Sequence, residues 1–221
     1  LLLPCLALGV SPFIMQATES VLNICFNTSL RTYGGDLAVG AMTILSSVMQ
    51  FAMLPLQGLT QGAQPIVSYN FGARNCSRVR EGFRMLLKCC VAYSSMLWLA
   101  VMLFPQLFAG MFTPDPVLIE YTVWALRIYM AVSLIFGVQI ACQQTFVAIG
   151  NAKTSLFLAC LRKLILLIPL IYILPEIFAD QAMAVYLAEP VADFIAVSVT
   201  ALLFAKQFKQ ALNRLETQAQ H

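Results

Sequence analysis

A single acid interrupts an otherwise uncharged apolar stretch near the start of the chain: Glu19, with Gln16, Asn23 and Asn27 at spacings of three, four and four. That spacing places all four on one helical face. Ionised acids inside hydrocarbon are costly, by about 2.5–3.5 kcal/mol at mid-helix on insertion scales, and they persist where they face a cavity or a partner. Glu19 is therefore a candidate for binding a cation or a proton. The amides have two readings: hydrogen-bonding glue between helices, or the lining of an aqueous cavity. Gln50, Gln57, Gln61 and Gln64 repeat the pattern further along, and Gln139 and Gln143 add an i, i+4 pair. Uncharged amides at such a wall contact varied substrates without fixing one charge, so Gln50, Gln57, Gln139 and Gln143 join the cavity-lining candidates. Glu189 and Asp193 lie one turn apart around Pro190. Glu189 reads as near an interface, whereas Asp193 falls mid-span and is the second cation-coupling candidate. Arg162 lies ~13 Å along a helix from Lys153. It either snorkels back to headgroups or faces the bundle and neutralises an acid such as Asp193.

The elements that must hold these residues are membrane helices. Of the 221 residues 60% are hydrophobic and 10% charged, against about 25% charged in a typical soluble domain. The charges cluster, and between clusters lie runs longer than the ~20 residues needed to cross ~30 Å of hydrocarbon. Six spans are expected, at about 10–30, 37–60, 89–112, 121–148, 154–175 and 182–205. Residues 61–73 read as a bent, partly polar exit, with a kink at Pro55. Residues 206–221 read as a polar tail with no apolar core. Lys and Arg follow spans two and four and fill the tail, whereas Asp115, Glu120, Glu176 and Asp180 follow spans three and five. By the positive-inside rule both termini are then cytoplasmic, in a multi-pass protein of the plasma (inner) membrane.

Other functions find little support. The one His is His221, the seven Cys show no metal-like spacing, and no Gly-rich phosphate loop or Gly-x-Ser-x-Gly is present. Catalytic residues, a bound metal and an organic cofactor are not expected. The net charge of +3 is dispersed around membrane segments, which gives no nucleic-acid footprint. The start at Leu1-Leu2-Leu3 lacks a signal-peptide pattern and reads as a piece of a longer polypeptide.

Several stretches resemble the C-terminal six-helix lobe of the multidrug and toxin extrusion (MATE) family. They are Tyr33-Gly-Gly-Asp-Leu-Ala-Val-Gly-Ala-Met42, Pro55-Leu-Gln-Gly-Leu-Thr-Gln-Gly-Ala-Gln-Pro-Ile-Val-Ser-Tyr-Asn-Phe-Gly-Ala73 with Arg78-Val79, Phe146-Val-Ala-Ile-Gly-Asn-Ala-Lys153, and Arg162 with Pro169. The likeness covers residues 5–205. It implies an all-α membrane lobe, one half of a 6+6 transporter whose N-terminal lobe is absent from this chain. It further implies export of organic, often cationic small molecules in exchange for sodium ions or protons. Gln16-Ala-Thr-Glu19 resembles a cation-binding position in part of the family, whereas the fourth span carries Gln139, Gln143 and Gln144 where some relatives use an Asp. The alternatives are a flippase for a lipid-linked precursor, which should line its cavity with more Arg and Lys, and a non-catalytic membrane subunit, which has little use for Glu19.

Overall fold

The computed structural model describes residues 2–219, with side chains from Ala17 to Thr217 except Ala152. Among these residues the chain is all-helical. Helix α1 (Leu2–Gly72) is followed by α2 (Cys76–Leu103), α3 (Pro105–Gly110), α4 (Pro116–Tyr129) and a 3-10 turn at Ser133–Ile135. Then come α5 (Phe136–Ala148), α6 (Ala152–Cys160), a π turn at Leu161–Leu167, α7 (Ile168–Ile177) and α8 (Gln181–Ala219).

Helix α1 is two membrane crossings joined at Gly35, whose φ of 67° and ψ of −162° lie in a region open essentially to glycine alone. Leu22, Phe26 and Leu30 before the break share a buried cluster with Ala38, Met42 and Leu45 after it, so the limbs fold back on each other. Past the break the limb continues helical through Pro55 to Gly72. Four helical stretches are long and apolar enough to cross a membrane, and α4 with α5 forms a further span bent by 51°. Dividing the 56-residue stretch Ala17–Gly72 at Gly35 gives six crossings.

The boundaries differ from the sequence reading for identifiable reasons. The segment 74–88 is not a loop before the third span: α2 starts at Cys76, capped by Asn75, whose side chain accepts from the Arg78 amide at 3.3 Å. The same span ends early. Phe104 (φ −125°, ψ 49°) leaves the helix because Pro105 disfavours α conformation in the residue before it. The expected continuous span 121–148 is broken at Met130–Ile135. The carbonyls freed there are taken up by α2, with Trp98 Nε1 donating to Ala131 O at 3.0 Å and Ser94 Oγ to Leu134 O at 2.9 Å. Satisfaction by neighbouring helices is what permits irregular backbone at membrane depth.

The tail 206–221 is likewise not a separate polar segment, for α8 runs on to Ala219. Phe204, Phe208, Leu212 and Leu215 recur at helical spacing and are buried against Val79 and Phe146. Phe204 stacks on Phe208 at 4.8 Å between centroids and meets Phe83 at 4.5 Å. At this end Ser68 Oγ donates to Ala148 O at 2.9 Å, and Asn151 Nδ2 to Gln207 Oε1 at 2.8 Å. At the opposite end Tyr186 OH donates to Ala38 O at 2.8 Å, next to the Gly35 break. The turns at 73–75 and 150–151 therefore share the first end with the last turns of α8. Gly35 and the α7–α8 turn share the second.

Candidate charged cavity

Between the two limbs of α1, the α4–α5 break, the π turn and α8 lies a cavity of about 760 Å³. Glu19, Asn23 and Phe26 come from the first limb of α1, and Met49, Gln50 and Gln57 from the second. Tyr129 and Phe136 flank the break in the bent span, Arg162 and Lys163 come from the π turn, and Glu189 from α8.

The charges form two linked sets. Arg162 Nη2 is 2.9 Å from Glu189 Oε1, and its Nε donates to Asp193 Oδ1. All three residues are buried, at 9%, 6% and 4% exposure. The guanidinium also sits 4.6 Å from the centroid of the Phe136 ring, a favourable cation–π distance. Beside it, Lys163 Nζ pairs with Glu19 Oε1 across the cavity wall. Lys163 is mostly buried, its side chain 19% exposed, whereas that of Glu19 is 49% exposed. Glu189 and Asp193 share a face because they are four residues apart on α8. Arg162 and Lys163 are adjacent, and in a regular helix neighbours diverge by about 100°. Both nonetheless line the cavity, at the start of the π turn Leu161–Leu167; π turns recur at functional sites.

Of the sequence candidates, Glu19, Asn23, Gln50, Gln57 and Arg162 meet at this cavity. Asp193 stands behind Arg162, off the wall. Asn27 is exposed but lies away from the cavity. Gln16's side chain lies outside the described residues. Two candidates are corrected. Gln139 is buried at 2% exposure, away from the cavity, and its Oε1 has no hydrogen-bond partner among the described residues. Gln143 donates through Nε2 to Ser155 O at 3.2 Å, tying α5 to α6. The bent span turns these amides toward neighbouring helices. A third correction concerns Glu189. It is not an interfacial acid solvated by water; Arg162 pairs with it inside the bundle. Arg162 accordingly does not snorkel to the headgroups.

Lys163 and Glu189 line the cavity although the sequence reading did not count them among the candidates. The signal for Lys163 was its place beside Arg162 in an apolar span, two cations where hydrophobic cost argues against even one. Tyr129 and Phe136 carried no such signal, because their role depends on the break between them.

Bundle and site together define an α-helical membrane protein with six crossings around a charged, amide-lined cavity. The chain belongs to the MatE family, whose family model matches residues 12–173. It is similar to the multidrug export protein MepA of Staphylococcus aureus (strain N315), 24% identical over 198 residues, covering 89% of this chain and 43% of MepA. Among solved structures it resembles the MATE multidrug transporter DinF-BH, with 34% identity and a TM-score of 0.76 over 90% of this chain and 44% of that one. An inward-facing MATE family transporter of the MOP superfamily shares the fold at a TM-score of 0.86 with 19% identity, over 96% of this chain and 48% of that one. The chain spans about half the length of the curated relatives it matches.

Proposed function

We propose that this chain forms one six-helix lobe of a secondary active transporter that exports organic, often cationic compounds in exchange for sodium ions or protons. The observation that carries this reading is the cavity. Its volume of about 760 Å³ lies within the ~300–1,000 Å³ range of small-molecule sites. Its lining mixes apolar side chains such as Phe26, Met49 and Phe136 with Asn23, Gln50 and Gln57. At the wall two carboxylates, Glu19 and Glu189, face two cations, Arg162 and Lys163, with Asp193 behind Arg162. Of these charges the Glu19 carboxylate is the most exposed, and it offers an amphiphilic cation a partner. The wall suits a lipid phosphate poorly, since both cations are engaged by carboxylates, and this weighs against the flippase alternative.

In this reading the opposing wall comes from a second lobe, and alternating access comes from one repeat moving against the other. The end bearing Arg78, Arg80 and Lys153 is cytoplasmic, following the Lys and Arg asymmetry, in the plasma membrane.

The test uses the complete transporter in proteoliposomes, with ethidium efflux followed under an imposed sodium or proton gradient. Wild type should respond to one of the gradients. Glu19→Gln, which keeps shape and hydrogen bonding but removes the charge, should insert normally and lose gradient-driven efflux while dye binding survives in part. Efflux and ion dependence equal to wild type in Glu19→Gln would remove Glu19 from the coupling mechanism. Efflux indifferent to both gradients would overturn antiport itself.

A further inference from the structure

We propose that Lys163 is a resident counter-cation of Glu19, holding the cavity carboxylate against sodium, so that coupling at Glu19 falls to the proton, and yielding it to amphiphilic organic cations. This rests on the reading of the cavity as an organic-cation site and assigns the device that sets its specificity.

The geometry separates the two cations of the π turn. Arg162 is committed to Asp193 and Glu189, both buried, and neutralises one of those two charges. Lys163 reaches across to Glu19 on the first limb of α1, and Glu19 is the one acid of the three with a substantially exposed side chain. The charged groups around the ammonium are Glu19 from α1, Glu189 and Asp193 from α8 and Arg162 from its own turn, with the Tyr129 phenol facing the cluster from α4. A tethered ammonium beside Glu19 competes at high local concentration with any cation from solution. A sodium ion offers the carboxylate only charge, which the ammonium already supplies. An organic cation adds burial of its apolar surface against Phe26, Met49, Met53 and Phe136, a contribution sodium cannot make. Only the second kind of ligand has a net gain on displacing Lys163. Lysine fits this task better than arginine: its ammonium is a compact charge on a flexible stem, able to swing aside and return.

The experiment measures radiosodium binding and tetraphenylphosphonium binding to the complete transporter in nanodiscs, with choline chloride holding ionic strength constant. Wild type should bind tetraphenylphosphonium and show no sodium binding that depends on Glu19. Lys163→Met, which keeps the stem and removes the charge, should bind sodium about two- to fivefold more tightly, as expected for removing a competing charge from a half-exposed carboxylate. Lys163→Met/Glu19→Gln should lose that gain. Sodium binding unchanged in a Lys163→Met protein that still binds tetraphenylphosphonium overturns the proposal. So does wild-type sodium binding that disappears in Glu19→Gln, a comparison that needs no Lys163 variant to fold. A sodium gain in Lys163→Met without tetraphenylphosphonium binding in any variant would sustain the counter-cation and count against organic cations as substrates.

Discussion

Replacing Arg162 by Met would keep an unbranched stem in place and strand two carboxylates. Arg162 is 9% exposed, Glu189 6% and Asp193 4%, so water reaches the stranded acids only from the cavity side. In soluble proteins, removing one partner of a buried ion pair costs about 3–5 kcal/mol. Polar contacts between membrane helices average only about 0.6 kcal/mol, with a maximum near 1.7, because the unfolded state in the membrane also finds partners. Arg162 makes charge-assisted bonds to two acids and packs on Phe136. Each charge-assisted bond is worth roughly 1.5–3 kcal/mol, and proton uptake by the stranded acids would return part of the loss. We expect Arg162→Met to destabilise by about 2–4 kcal/mol, between the soluble and membrane limits. The exposed pair of Arg78 and Glu81, with side chains 66% and 68% exposed, is the internal control, and Arg78→Met should change stability by less than about 0.5 kcal/mol. The assay is reversible unfolding in mixed micelles with increasing dodecyl sulfate, read by tryptophan fluorescence. The combination Arg162→Met/Glu189→Gln/Asp193→Asn should recover most of the loss, since it removes the stranded charges. An Arg162→Met protein within about 0.5 kcal/mol of wild type, comparable to an exposed pair, or a combination no more stable than the single variant, would refute the reasoning.

At Gly137 α5 lies close against α2: an added Cβ would lie 2.5 Å from Cys90 O and 2.6 Å from Ser94 Oγ. Gly137→Ala should destabilise by about 1–3 kcal/mol through overpacking against backbone, whereas Gly58→Ala, with nothing within 4 Å, should be neutral or stabilising in the same unfolding assay. Topology is open to single-cysteine labelling on a cysteine-less background. Positions 78 and 153 should react from the cytoplasmic face and 115 and 180 from outside, and labelling of 115 from the cytoplasmic face alone would invert the assignment.

The fold was readable because each crossing has a strong compositional signature, and because Gly35 stands just where the first crossing must turn. Glu19 and Arg162, which both line the cavity, stood out as candidates for the opposite reason: a charge in an apolar run is costly enough to need an explanation. Positions that depend on helix phase were harder. Gln139 and Gln143 satisfy a one-face pattern, but beyond the break at Met130–Ile135 Gln143 bonds to α6 and Gln139 is buried off the cavity. Nothing in the composition of Met-Ala-Val-Ser-Leu-Ile announces the break; it exists because Trp98 and Ser94, far earlier in the chain, accommodate its carbonyls. The register of Glu189 was misjudged by counting from the start of the span, a measure that cannot foresee a buried partner on another helix.

Irregular backbone and ionisable side chains coincide in this lobe. The broken span contributes Tyr129 and Phe136 to the cavity, and the π turn contributes Arg162 and Lys163. The two ends, by contrast, are closed by side-chain-to-backbone bonds and aromatic contacts: Tyr186 to Ala38 at one, Ser68 to Ala148 and the Phe83–Phe204–Phe208 cluster at the other. A lobe proposed to rock against a partner must transmit motion from end to end without coming apart, which is what fastened ends provide. Its ligand site must also present backbone and charge that a regular helix would hide, which is what the broken middle provides.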